Sequence, residues 1–288
     1  MERGGSTRGW GSGLLGVVIF SGSLPATRLA LAGFSPLFLT GARAVIAALV
    51  GAGLIAMLGE RRPGRSDLAP LLGVALGVVV GFPLLSALAL EHIPAGRSIV
   101  FVGLLPLATA LLATVRGAER PGAPFWLFAG LGALVVSGFA LAGGGPGTLR
   151  GDALMAAAVL ACGYGYGEGA ALSRRLGGWQ VISWALVLSL PASVPIAIAT
   201  RPDDWAGIGA SAWGGLAYVS LFSMLLGFVF WYRGLALGGV AGVSQLQLLQ
   251  PFFGLGLAAL VLGEPIAPAM VAAALGVVAC VAGARRFS

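Results

Sequence analysis

The chain has 288 residues, of which 58% are hydrophobic and only 9% are charged, and this composition excludes an ordinary soluble globular protein. Its net charge of +7 comes from 17 basic residues, all of them arginine, against 10 acidic residues. The arginines cluster at the ends of apolar segments instead of covering one basic face. This distribution argues against a nucleic-acid partner and favours a membrane protein.

Apolar runs of about 20 residues, the length that crosses a bilayer core, recur along the chain. We therefore predict an all-α integral membrane protein, because a segment in lipid must satisfy its own backbone polar groups and a helix does so. In chain order we predict ten transmembrane helices, over residues 11–31, 36–58, 68–89, 94–115, 124–143, 151–172, 179–199, 211–236, 240–262 and 266–284.

The arginines between the predicted helices set the orientation. With the N-terminus in the cytoplasm, eleven loop and terminal arginines lie inside and only Arg150 and Arg201 lie outside, a strong positive-inside bias. We therefore expect a multi-pass protein of the inner (cell) membrane with both termini cytoplasmic. The first run is long and carries Arg28, so we do not expect a cleaved signal peptide.

The second half of the chain repeats landmarks of the first. Pro106 and Glu119 return 145 positions later as Pro251 and Glu264, and Gly81-Phe82 returns 146 positions later. We predict two five-helix repeats that form one structural unit, residues 1–145 and 146–288. Because five is odd, the second copy enters from the opposite side, and inverted repeats of this kind are typical of secondary transporters.

Two stretches, residues 106–138 and 251–283, carry a resemblance to a known family. Ten helices in two repeats of five resemble the EamA-type members of the drug/metabolite transporter superfamily. Within that family the chain is most similar to the YddG-type exporters of amino acids. The resemblance covers essentially the full chain, and it implies alternating access across the membrane for a small metabolite.

The predicted substrate site is a central cavity between the repeats, lined by helices 1, 3, 4, 6, 8 and 9, with helices 5 and 10 as peripheral supports. Polar side chains in hydrocarbon are costly unless they face partners or water. The predicted substrate-binding residues are Phe82, Ser98, Phe101, Tyr164, Trp231, Tyr232, Ser244 and Gln247. Further candidates on the same helices are Ser21, Ser23, Ser86, Tyr166, Phe222 and Ser223.

Three prolines, Pro83, Pro106 and Pro251, are predicted hinges or gates, since proline removes an intrahelical hydrogen bond. Ionisable residues inside membrane spans are functional candidates by default. Here they are Arg28, Arg43, Arg97, Glu168 and Arg233. Arg43 lies deepest, and pairing with Glu91 and a role with substrate are equally open for it.

A secondary transporter that exports amino acids, aromatic or other apolar ones included, or related small metabolites, is the function that these patterns favour. The alternatives are a multidrug or organic-cation exporter of the same superfamily and, from a different class, a membrane channel. Enzyme activity, a metal site and a cofactor are not expected. The chain has one histidine, His92, and lacks both an acidic cluster and a nucleotide-binding loop.

Overall fold

A computed structural model describes residues 7–60, 62–115, 122–141, 147–238 and 243–286. Within those ranges every regular element is a helix, as hydropathy predicts. The α-helices, α1 to α14, span Thr7–Ser21, Ser23–Ala30, Pro36–Leu58, Arg65–Val74, Phe82–Leu90, Ala95–Val102, Leu105–Val115, Ala123–Leu141, Leu149–Leu176, Gly178–Ala199, Ala210–Ala217, Gly227–Gly238, Gln250–Leu262 and Pro268–Arg285.

Five of the helical rods in the described ranges are long and apolar enough to cross a bilayer. They cover Thr7–Ala30, Pro36–Leu58, Arg65–Leu90, Gly178–Ala199 and Ala210–Leu235. Shorter apolar helices add Ala123–Phe139, Leu246–Leu262 and Pro268–Gly283. The full count of ten spans stays a prediction.

The outer surface of the bundle is apolar. Met57 and Leu260 are each 84% exposed, and Leu76 and Leu134 are exposed by about two thirds. Soluble monomers rarely expose so many large apolar side chains, whereas an apolar surface is favourable in contact with lipid. The exposed leucines therefore mark faces that contact lipid.

Several helices predicted as continuous are interrupted. Two π-helical segments, Ala75–Gly81 and Tyr218–Leu226, join α4 to α5 and α11 to α12. The segment Ser244–Leu249 is a 3-10 helix that leads into α13. Bends at Gly22 and at residues 103–104 separate α1 from α2 and α6 from α7.

Three of the interruptions directly precede prolines. Pro83, Pro106 and Pro251 each occupy one of the first two positions of the α-helix that follows a break. Proline has no N–H to donate to the preceding turn, and it is tolerated at a helix start. By contrast, Pro191 and Pro195 lie inside the unbroken α10.

Helix packing produces one large core and one smaller one. The closest helix pairs are α3 with α10, α1 with α12, α8 with α14, and α9 with both α5 and α7. Buried residues of α2, α3 and α11 form the smaller core. The helices α8 and α14 pack chiefly on each other at the side of the bundle, which agrees with the peripheral position predicted for helices 5 and 10.

Glycine permits the closest helix crossing near the middle of the bundle. A Cβ atom on Gly77 would lie 2.6 Å from the Ala161 carbonyl oxygen and 2.7 Å from the Gly165 backbone nitrogen. Both neighbours are backbone atoms and cannot rotate away. Small residues let helices approach this closely in lipid, where packing drives association.

Replacing Gly77 with alanine should therefore destabilise the folded protein by about 1–3 kcal/mol, the usual cost of overpacking. The matched control is Gly53→Ala, because a Cβ on Gly53 would meet no atom within 4 Å. Thermal or denaturant unfolding of the purified proteins in detergent micelles measures both. Equal stability of the two variants would contradict the close crossing.

Candidate functional site

A small cavity with a mostly apolar wall and a few polar side chains lies halfway along the bundle. On α9 it is lined by Cys162 and Tyr166, which lie about midway between Asp152 and Arg175 near the two ends of that helix. The full lining is Phe20, Ser21, Ser23, Leu24, Arg43, Val78, Phe82, Pro83, Ile99, Val102, Leu105, Cys162, Tyr166, Ser223, Met224, Phe228, Gln250 and Gly254.

The interruptions in the helices converge on this cavity. Val78 comes from the first π segment, and Ser223 and Met224 come from the second. Gln250 and Gly254 belong to the first turns of α13. Irregular backbone at membrane depth is tolerated where it is buried in protein or lines a cavity, and π segments often occur at functional sites.

The cavity volume is about 40 Å³. About 10–15 Å³ of such volume holds one water, so the cavity in this state holds roughly three. Pockets for drug-sized ligands measure about 300–1,000 Å³. The helices must therefore separate before a complete metabolite fits.

Arg43 is the one charged residue on the described cavity wall. Its side chain is 4% exposed, and Nη2 donates to the Val219 carbonyl at 3.2 Å and to Ser223 Oγ at 3.4 Å. Its Nε is buried and donates no hydrogen bond. Both groups that accept hydrogen bonds from Arg43 in the structure are neutral, so the predicted alternative of a pairing with Glu91 is wrong.

Three serines connect helices across the cavity. The hydroxyls of Ser23 and Ser223 lie 2.7 Å apart and share a hydrogen bond. Ser21 Oγ donates to the Val17 carbonyl at 2.7 Å and reaches the Gln250 carbonyl at 3.4 Å. Arg43, Ser223 and Ser23 thus form a continuous polar chain from α3 to α2.

Aromatic rings cover one side of the cavity. The centroids of Phe20 and Phe228 are 4.9 Å apart in an edge-to-face arrangement, and Tyr166 lies 5.9 Å from Phe228. Trp231 contacts both Phe20 and Tyr166 from behind this layer, at 6.5 and 6.4 Å. These rings close the cavity towards the end of the bundle that carries Arg175.

The structure distributes the sequence-predicted substrate residues over two layers. Phe82 and Pro83 lie on the cavity wall. Trp231, Tyr232 and Gln247 are buried just behind the aromatic layer, where the Gln247 side chain lies beside Tyr166 and its Nε2 donates no hydrogen bond.

The other predicted residues lie elsewhere or outside the described side chains. Ser98 and Phe101 are buried on α6, and Ser98 Oγ donates to the Pro94 carbonyl at 3.2 Å. Tyr164 packs near Gly73 on α4. The side chain of Ser244 lies outside the described part of the chain.

Among the further candidates, Ser21, Ser23, Tyr166 and Ser223 line the cavity. Ser86 is buried and donates to the Pro83 carbonyl, whereas Phe222 is exposed. Tyr164 and Tyr166 are two positions apart and so point to different sides of α9. Sequence periodicity alone does not say which side faces the cavity.

Contacts between distant parts of the chain close one end of the bundle, here called the Asp152 end. Arg97 donates from Nε and Nη2 to the two oxygens of Asp152, at 2.8 and 2.7 Å. Both side chains are almost fully buried, and Arg97 also lies 5.3 Å from the Phe139 ring centroid. Sequence analysis did not predict a role for Asp152, because it lies in the first turn of a helix whose hydropathy indicates only a membrane span.

Glu264 makes a second contact at the Asp152 end. Its Oε1 accepts from the Ala95 backbone N–H at 3.0 Å, and its Oε2 accepts from the Gly96 N–H at 2.7 Å. These are the first two amides of α6. A carboxylate at this position satisfies two free donors and is favoured by the helix dipole.

A different pair of contacts marks the opposite end, here called the Asp67 end. Arg175 Nη2 donates to Asp67 Oδ1 at 2.5 Å, and Gln180 Nε2 donates to Glu60 Oε1 at 3.2 Å. Asp152 and Arg175 are 23 positions apart on α9, or roughly 35 Å at 1.5 Å per residue. The two ends are thus separated by about the thickness of a bilayer core.

Comparison with known proteins identifies relatives over almost the whole chain. The profile of the EamA-like transporter family matches twice, over residues 7–141 and 149–285. An uncharacterized transporter, YdeK of Bacillus subtilis, is 59% identical over 283 residues, covering 98% of this chain and 99% of that protein.

Two further similarities are more distant. A probable terminal-alkyne amino-acid exporter of Streptantibioticus cattleyicolor is 28% identical over 269 residues, covering 92% of this chain and 89% of that one. A solved crystal structure superposes with a TM-score of 0.63 at 20% identity, over 96% of both chains. At that identity the likeness concerns the fold.

Removing the charge of Asp152 by Asp152→Asn should destabilise the protein by about 3–5 kcal/mol, because it breaks the buried ion pair in which the two oxygens of Asp152 bind Arg97. The matched control, Asp67→Asn, should cost at most about 1 kcal/mol, since its partner Arg175 is 60% exposed. Unfolding in detergent micelles compares the two. Similar losses of stability in the two variants would contradict the argument that the buried Arg97 depends more on its aspartate than the exposed Arg175 does.

Proposed function

The chain belongs to the EamA-like transporter family, and from that premise we propose that it is a secondary transporter that exports amino acids or related small metabolites by alternating access. The observation that carries the proposal is a cavity halfway through the helix bundle whose mostly apolar wall contains Arg43 and several hydroxyl groups. Its wall combines α1 to α3, the first π segment and α5 to α7 with α9, the second π segment, α12 and α13.

We propose ten spans in two inverted repeats, residues 1–145 and 146–288. The two separate matches of the family profile support this division. The interruptions support it as well, since one π segment ends before Phe82 and the other before Gly227-Phe228. Helix breaks also precede both Pro106 and Pro251.

Such paired breaks are expected in transporters, where discontinuous helices form the substrate site near the bilayer midplane. In this proposal Pro83, Pro106 and Pro251 start the helical halves that tilt during the transport cycle. Phe82 contacts substrate in the cavity. Gln247, Trp231 and Tyr232 lie on the route beyond the aromatic layer, whereas Ser98, Phe101, Tyr164 and Ser244 stay predictions from sequence.

Alternating access requires that the contacts at the two ends break in turn. At the Asp152 end, opening separates Arg97 from Asp152 and Glu264 from α6. At the Asp67 end, opening separates Asp67 from Arg175 and Glu60 from Gln180. Each set joins an element before residue 145 to one after it, so both sets are placed to report relative movement of the two repeats.

Transport of amino acids is testable with the purified full chain in proteoliposomes. A panel of radiolabelled amino acids, offered with and without unlabelled amino acid on the opposite side, should show saturable uptake and counterflow. Counterflow distinguishes a carrier from a channel. Uptake of organic cations with no uptake of any amino acid would instead support the multidrug alternative.

Substitution of Gln247 should impair the same transport. Its unbonded Nε2 can donate to a passing substrate, and losing one hydrogen bond costs about 0.5–1.5 kcal/mol, or more with a charged group. Gln247→Ala should therefore lower the ratio of maximal rate to half-saturating concentration by roughly threefold or more. Thr200→Ala is the control for a lost polar side chain, because Thr200 lies at the end of α10, away from the cavity wall, and donates only to the Ile196 carbonyl. If Gln247→Ala is expressed normally and keeps the wild-type ratio, Gln247 does not contact the substrate during transport.

For localisation we propose the inner membrane with both termini in the cytoplasm, so that the Asp67 end faces the cytoplasm and the Asp152 end faces outwards. Reporter fusions after Arg65 and after Arg201 should report the cytoplasm and the exterior respectively. The excess of arginines on one side is the physical reason. The same location for both reporters would contradict the topology.

A further inference from the structure

We propose that Arg43 is the anchor for a carboxylate, so that the midplane cavity accepts ligands with a carboxylate head and an apolar body and rejects organic cations. This inference deepens the proposed function, on which it rests for the transported substrate. It names the group of the ligand that is recognised and the residue that recognises it.

The first argument is the hydrogen bonding of the guanidinium. Arg43 is 96% buried, and its described partners are a carbonyl and a hydroxyl on the second π segment. Its Nε carries a donor that bonds to nothing, although the residue lies on the cavity wall. A free buried donor costs about 1–3 kcal/mol, and a ligand oxygen that reached Nε as the helices separate would remove that cost.

The second argument is the charge balance of the cavity. The described wall contains Arg43 and no aspartate or glutamate. Asp152 and Glu264 bind groups at one end of the bundle, and Asp67 binds Arg175 at the other. A buried cation without a counter-ion is unfavourable by several kcal/mol, so an anion is the ligand whose binding compensates it.

The third argument is the geometry of recognition. A guanidinium presents parallel N–H groups that match the two oxygens of a carboxylate. Nε is free to take one oxygen, and Nη2 makes only long contacts of 3.2 and 3.4 Å, which a carboxylate can replace. Ser223 would then be released to bond to Ser23 or to the ligand.

The remaining wall defines the rest of the ligand. Phe20, Leu24, Phe82 and Phe228 surround the polar chain with apolar surface. The hydroxyls of Ser21 and Ser23 can accept hydrogen bonds from an ammonium group, which fits an amino acid. An organic cation without a carboxylate would bring a second positive charge beside Arg43.

The test uses the purified full-length protein in detergent micelles with three probes of similar shape: isovalerate, 3-methylbutylamine and leucine. The readout is the increase in unfolding temperature at constant ionic strength maintained with chloride. Isovalerate and leucine should stabilise the wild type, and 3-methylbutylamine should not. Arg43→Gln should weaken the effect of isovalerate by roughly tenfold or more in apparent affinity, because a charge-assisted bond is lost.

Two control variants separate charge from geometry. Arg43→Lys keeps the charge and should retain part of the isovalerate effect. Arg28→Gln removes an arginine that donates to the Leu90 carbonyl outside the cavity, and it should retain the full effect. Stabilisation by 3-methylbutylamine equal to that by isovalerate, or an unchanged isovalerate effect in folded Arg43→Gln, would overturn the proposal.

A second measurement places the ligand without any substitution at Arg43. Cys162 lines the cavity, whereas Cys280 on α14 lies outside it. N-ethylmaleimide is too large for the cavity of about 40 Å³ and reaches Cys162 only when the helices separate. Isovalerate should slow this alkylation, read by mass spectrometry, and leave Cys280 unaffected. This protection keeps the test decisive if Arg43→Gln fails to fold, and absence of protection in the wild type would overturn the site.

The outcomes also separate this inference from the proposed function. If isovalerate binds through Arg43 and no amino acid is transported, the carboxylate site stands and amino-acid export fails. If leucine is transported in proteoliposomes and leucinamide or 3-methylbutylamine is transported equally well, export stands and the carboxylate site fails.

Discussion

Polar groups inside an apolar helix bundle must find partners within the bundle, and this constraint organises the rest of the structure. Backbone amides find them in helices. The free amides at the start of α6 find the carboxylate of Glu264, and the buried charge of Arg97 finds Asp152. The cation of Arg43 finds only neutral groups. Arg43 is thus a deeply buried cation whose described partners carry no negative charge.

The same constraint explains the position of the broken helices. A break exposes backbone groups, and in lipid such groups would be expensive. Residues from both π segments and from the start of α13 therefore line the cavity. The helix breaks and the cavity therefore occur at the same place in the bundle. The segments that are least regular, and so easiest to bend, surround the space that must enlarge.

Much of the fold follows from sequence, because hydropathy and arginine placement are properties of single segments. The helical class and the peripheral position of helices 5 and 10 were predicted in that way. The helix breaks were harder to predict. A proline such as Pro251 shows where a hydrogen bond is lost, but it does not indicate whether the preceding segment is a 3-10 helix or a kinked α-helix. Partner choice was hardest. Arg43 bonds to Val219, 176 positions away in the chain. Local periodicity predicts neither this contact nor that Tyr166, instead of Tyr164, lines the cavity.

The cap that Glu264 places on α6 also bears on how the protein is made. A ribosome completes Ala95 and Gly96 long before it reaches Glu264, which is separated from them by 168 or 169 positions. During synthesis the helix must therefore enter the membrane with its first amides bonded to water or lipid headgroups. Only when the last tenth of the chain arrives does the carboxylate replace them. Final closure of the Asp152 end is thus a late event of biogenesis, and a chain truncated before residue 264 cannot complete it.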